Sequence, residues 1–362
     1  MTAPALAGQT PDGRPQLMEC LRAELATHSA WGGAALEPLL DKGLAHHHVR
    51  LAGTGVLARI PKQSQLGLAP AANLAHQQAC FERAAPSGHS PRLHGVLPVS
   101  DLLPRGALLV EEVVGCAALL PRDLASIAQA LGAIHMLPVP PEAQRMPLAS
   151  PSDPLQVLVE EILDQASHLP AARLDPEVSD LLQQELTALR QLALRTGSPP
   201  QHLIAFDAHP GNFIIRPSGE AVLVDLEKCR YGYAGLDLAH ATLYTSTTWD
   251  LDSQAVLGHE QVHDFYETWT QAVGSDFAAA AQPWHLALRH AMWLWSLTWC
   301  CKWRVLSQLP ARHPQAGQDW STVHSDSALV AHVRNRVDHY LSPSSISRVQ
   351  QELRWLEAAF AR

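Results

Sequence analysis

Between Leu203 and Glu227 two short apolar runs, Phe213–Ile215 and Ala221–Val224, flank a Pro217-Ser218-Gly219 turn. β-Branched runs around turn residues predict a hairpin. The constraint lies in what the hairpin carries at its open end. Asp207 and Asn212 stand on the loop entering it, Asp225 at its exit, and Glu227 two residues further on. A hairpin returns to where it began, so Asn212 and Asp225 should lie side by side with their oxygens aimed at one point. Such a donor set suits a hard cation such as magnesium, which takes oxygen ligands and holds phosphate as well. Each residue alone is an ordinary turn former; the joint pattern carries the inference.

The interval from Asp207 to Asn212 is also that of the second half of the protein-kinase catalytic loop, with Asp225 placed where the metal-binding Asp follows. His209-Pro210-Gly211-Asn212, the hairpin, Asp225 and then Asp237-Leu238-Ala239 together resemble the aminoglycoside phosphotransferase and choline kinase family of small-molecule kinases. In that family the loop opens with His-Gly before the Asp; here Ala205-Phe206 stand in their place. The resemblance implies an α+β, two-lobed protein-kinase-like fold, with a small antiparallel-sheet lobe and a mainly helical lobe. It implies ATP or GTP as phosphoryl donor, Mg2+ held by Asn212 and Asp225, and Asp207 as the group that orients and deprotonates the acceptor. The acceptor is then a small hydroxyl compound, aminoglycoside-, choline- or sugar-like. Residues 1–113 would form the nucleotide-binding lobe, with roughly the first 15 flexible. Residues 114–362 would form the helical lobe with catalytic loop, metal site and acceptor pocket.

Within the first lobe, Leu39 to Pro61 reads as strand, loop, strand, turn, strand, with Gly43 in the loop and Gly53-Thr54-Gly55 at the turn. By resemblance the Gly43 loop covers phosphates, glycine letting backbone amides approach oxygen closely. Arg59 falls where the family places its phosphate-contacting cation, and an Arg fork suits phosphate oxygens; Lys62 is the second candidate. Kinases orient that cation with a Glu on the next helix, here Asn73 to Ala85. The matching position is Gln78, with Glu82 one turn along the same face. Glu111, Glu112 and Val113 resemble the hinge whose backbone pairs with adenine. His46 and His48 would share one strand face, which offers a metal two ligands at most.

Arg122 to Met136 has helical spacing and ends in His135, which the resemblance places beneath the catalytic loop. Asp237 is expected to fix that loop's backbone. Trp295, Trp299 and Trp303 recur on one side of a helix; they are core residues or, in part, the wall of an acceptor pocket suited to cationic or hydrophobic compounds. His259-Glu260-Gln261-Val262-His263 matches the zinc-hydrolase helix, a minor alternative. With 20 histidines in the chain the pattern arises readily by chance. A nucleotide-binding pseudokinase or interaction module is the main alternative, motivated by Gln78 and the missing His.

Composition narrows the class further. A formal charge of -9 with scattered Lys and Arg argues against nucleic acid, while an acidic surface would tolerate a cationic acceptor. The longest apolar run, Ala291 to Cys301, is too short for a bilayer, and Met1 to Thr10 has no signal-peptide pattern. The six cysteines are scattered and fit reduced thiols in a cytoplasmic protein. Oligomeric state is left open.

Overall fold

The computed structural model describes residues 13–27, 30–40, 43–192, 194, 197–309 and 327–360. They divide into two compact units, Met1–Ala75 with Leu93–Glu112 and Leu309–Val333, and His76–Arg92 with Val113–Gln308 and Arg334–Arg362. The flexible N-terminal stretch expected from the sequence lies largely outside the described residues, as do Asp41 and Lys42 beside Gly43.

The first unit opens with α1 (Gly13–Leu25), then β1 (Leu36–Pro38), β2 (His46–Leu51) and β3 (Val56–Pro61). After α2 (Pro70–Ala84), which runs on into the second unit, come β4 (Leu93–Leu97) and β5 (Ala107–Glu111). The five strands form one antiparallel sheet in the order β1-β2-β3-β5-β4. Strand alternation sorts its faces. Val49, Leu51, Val56, Ala58, Ile60, Ala107 and Leu109 pack with Leu21 and Leu25 of α1. Arg59, at the alternate position between Ala58 and Ile60, belongs to the opposite face, in register with His48 and Leu108.

The second unit continues through β6 (Cys116–Ala117), α3 (Leu124–His135), α4 (Pro154–Ala166) and α5 (Pro176–Leu192). Next come β7 (His202–Ile204), β8 (Phe213–Ile215), β9 (Ala221–Leu223) and β10 (Arg230–Gly232). The remainder is helical: α6 (Ala234–Thr242), α7 (Tyr244–Thr247), α8 (His259–Val273), α9 (Ser275–Ala281), α10 (His285–Leu306), α11 (Ser327–Tyr340) and α12 (Pro343–Phe360). The expected hairpin is β8 and β9, joined to β6; β7 pairs separately with β10.

Helix α10 is apolar nearly all round, as a helix at the centre of a bundle must be, and it meets α4, α5, α6 and α12. Its one fully buried charge, Arg289, donates to Glu352 of α12 and to the Thr242 carbonyl and hydroxyl at the end of α6. Helix α3 packs on α8 so closely that a Cβ on Gly132 would stand 2.8 Å from that of Ala272. Among the described residues no helix is long and apolar enough to cross a membrane, and all six cysteines are free thiols.

Candidate active site

The loop between β7 and β8 is braced from below. Asp237, in the first turn of α6 and without solvent exposure, accepts the backbone N–H of Ala205 at 2.7 Å and of Phe206 at 2.8 Å. His135 Nε2 lies 3.1 Å from the same carboxylate, while Trp269 Nε1 donates to His135 Nδ1 at 3.0 Å. A nitrogen that accepts carries no proton, so the Trp269 bond fixes the neutral tautomer whose Nε2–H donates to Asp237. The carboxylate thus receives three donors, which offsets its burial. Phe206 sits at φ 59°, a left-handed conformation uncommon for a bulky residue. It occupies the position where the resembled loop has Gly, and the bonds from Asp237 hold it there.

Past Phe206 the carboxylate of Asp207 emerges partly exposed. Asn212 Nδ2 donates to the Asp207 carbonyl at 2.8 Å, which commits its amide nitrogen to the loop. Phe213 pairs with Leu223, and the Val224 N–H donates to the Asn212 carbonyl at 2.9 Å, so Asn212 and Asp225 do stand at one end of the hairpin. Gly211 is required by close packing, since a Cβ there would come within 2.6 Å of the Asp250 Cβ.

Nothing in the sequence pattern singles out Lys228. Its Nζ binds Asp207 Oδ2 at 2.7 Å, and His240 Nδ1 stands 3.8 Å from the other oxygen. Burial by itself would raise the Asp207 pKa; the charge of Lys228, with His209 and His240, outweighs it and holds the carboxyl below its ordinary value. Burial likewise opposes the charge on Lys228, and Asp207, Glu227 and Asp225 overcome it, raising the lysine. His240 is pushed down to about 4, mainly by burial, and is neutral near pH 7. Lys228 reaches Asp207 because β10 pairs with β7 in the register Arg230 to Ile204. Two three-residue strands leave little periodicity from which to foresee that pairing.

Helix α2 carries Gln78 and Glu82, the two positions expected there, and turns two others toward Glu227. Gln78 donates to Glu82 at 2.8 Å on the outer side of the helix. Gln77 and His76 turn inward, Gln77 Nε2 lying 3.5 Å from the Glu227 carboxylate and His76 Nε2 3.0 Å from the Glu227 carbonyl. In the other unit Arg59 is buried on β3, whereas Lys62 Nζ donates to the Gly43 carbonyl at 3.3 Å. At the end of β5 the Glu112 N–H is spent on the Gly55 carbonyl and its carboxylate on Arg50 at 2.5 Å. Val113 follows, half-buried.

Of the tryptophan stripe, Trp295 touches the loop that carries Asp207, its ring 5.3 Å edge-on from Phe206. Trp299 packs on Trp249 and Trp303 is buried. His259 and His263 lie against Trp355 and Phe360 of α12, and no group of three or more metal-ligating side chains occurs among the described residues.

A profile of the phosphotransferase enzyme family matches residues 43–281 of the 362. The chain belongs to that family. This phosphotransferase shares its fold with solved kinases of low sequence identity. A choline/ethanolamine kinase family protein from Mesorhizobium loti superposes with a TM-score of 0.56 at 16% identity, over 94% of this chain and 99% of that one. An ethanolamine kinase from Plasmodium vivax gives 0.56 at 13%, over 86% and 84%. The GDP complex of aminoglycoside 2'-phosphotransferase-IIIa gives 0.57 at 13%, over 88% and 98%. No curated protein matches by sequence. The kinase-like α+β fold expected from the sequence is therefore the fold of this phosphotransferase.

Proposed function

We propose that this phosphotransferase moves the γ-phosphoryl group of ATP or GTP to a hydroxyl of a small molecule. The observation that carries the reading is Asp207 on a braced loop, paired with Lys228 at 2.7 Å and one hairpin end away from the oxygens of Asn212 and Asp225. Asp207 holds the acceptor hydroxyl and takes its proton; its Oδ2 is fixed by Lys228, which leaves Oδ1 for the acceptor. The donor set at the hairpin end, an amide oxygen and a carboxylate, fits Mg2+. When bound there, magnesium would neutralise charge on the phosphates. Lys228 adds a fixed positive charge beside the acceptor oxygen, where negative charge shifts during transfer. Arg59 and the backbone of Glu111 and Val113 are the groups proposed to contact nucleotide phosphates and base. Because phosphoryl transfer is mainly positioning and charge neutralisation, a neutral or misplaced Asp207 should cost turnover far more than binding.

The test is thermal unfolding with ATP or GTP, each with and without magnesium, since a ligand of the folded state raises its midpoint. A magnesium-dependent rise that is lost in Asp225→Ala and kept in Asp207→Asn is expected. Absence of any rise at millimolar nucleotide would instead favour a degenerate kinase fold.

A further inference from the structure

An aromatic face beside a catalytic carboxylate is an ordinary receptor for an alkylammonium group, which is drawn to the negative π cloud. Here that attraction already has an occupant. Lys228 Nζ stands 5.8 Å from the centroid of Trp295, held there by its 2.7 Å bond to Asp207. The neighbouring carboxylate is taken as well. Glu161 accepts the Trp295 indole N–H on one oxygen at 3.0 Å and Arg230 on the other at 3.2 Å. Arg230 in turn lies 3.6 Å over the Phe206 ring. Two cations and two anions thus close on one another around Trp295. Their side chains remain 14% to 31% exposed, so the cluster borders solvent and can meet a small molecule.

We infer, resting on the phosphotransferase reading, that Lys228 sets the class of acceptor: the Trp295, Lys228, Glu161 and Arg230 wall takes a polyol or sugar uncharged around its reacting hydroxyl and turns ammonium acceptors away. An ammonium placed on Trp295 would share the ring with Lys228 and find Glu161 and Asp207 already paired with cations. Like charges set together in a partly dry site oppose binding strongly. A hydroxyl-rich acceptor meets no such opposition. Lys228 has two further N–H donors for its oxygens, and Asp207 Oδ1, 3.8 Å from the nearest histidine nitrogen, is placed to receive the reacting proton.

The experiment compares choline with its uncharged carbon isostere, dimethylbutanol, by thermal shift titration of the full chain, the melt itself reporting that each variant folds. Choline should bind Lys228→Met about tenfold or more tightly than wild type, the cation–π gain returning once the ring is uncovered. The isostere should bind both proteins alike, and the gain for choline should vanish in Lys228→Met with Trp295→Leu. Equal choline affinity in wild type and Lys228→Met, or a gain that survives loss of Trp295, overturns the inference. The magnesium-nucleotide shift in the same samples separates the two levels: if it persists, only the acceptor class is wrong, and if wild type lacks it, the phosphotransferase reading falls and this inference with it.

Discussion

Asp207 and Lys228 set each other's charge. The carboxyl is held below its ordinary pKa, so the stability it contributes is present above that value and lost as pH falls beneath it. The ammonium is raised, so its contribution is lost only as pH climbs past the ordinary lysine value. Across the interval between, Asp207 stays ionised and turnover should show no acid limb of its own. Lys228→Met removes the positive neighbour and leaves burial, which favours the neutral acid. The acid limb of turnover should then move upward; an unmoved limb would mean that Asp207 does not govern the rate. That Asp207 and Asn212 share one loop at the hairpin end was legible because loop chemistry is local. Lys228 was not, because its role depends on a strand pairing between Ile204 and Arg230.

At the scale of elements, α10 holds the second unit together, and Arg289 is the point where α6, α10 and α12 meet. Its guanidinium is fully buried and its pKa raised, Glu352 and Tyr266 overcoming the burial that would lower it. Glu352→Ala would strand that charge, at a cost of about 3–5 kcal/mol. Replacing both partners by Leu should recover most of the loss, short of the hydrogen bonds to Thr242. Urea midpoints of the single and double variants decide this, and a single variant as stable as wild type would contradict it. The elements themselves carry their periodicity: α5 buries Val178, Leu182, Leu186 and Leu189 at helical spacing. What periodicity could not supply was azimuth. One residue of rotation on α2 separates Gln78, spent on Glu82, from Gln77, which faces Glu227. The tryptophan row drifts round α10, so that Trp295 meets the loop while Trp299 packs on Trp249. The two histidines of α8 serve aromatic packing on α12.

For the whole molecule, histidines buried in the neutral form, His202 among them at about 4 through burial, contribute to the response to acid. Burial pushes His240 and His285 down to about 4 each. The unfolded chain binds those protons from its ordinary value of about 6.5, so between roughly pH 6.5 and 4 stability should fall as acid is added, by about 1.4 kcal/mol per pH unit for each histidine. Below about 4 the slope from these two groups ends. Urea unfolding at several pH values measures it, and His285→Gln should flatten the slope by one histidine's share; an unchanged slope would put the protons elsewhere. The brace under the catalytic loop has a consequence for the order in which the protein is made. A ribosome releases Ala205 and Phe206 some thirty residues before Asp237 and more than sixty before Trp269, and chains fold as they emerge. Until those residues arrive, nothing holds Phe206 left-handed. The nascent chain therefore acquires the Asp207 carboxylate early and the braced loop geometry later, once α6 and most of α8 have followed.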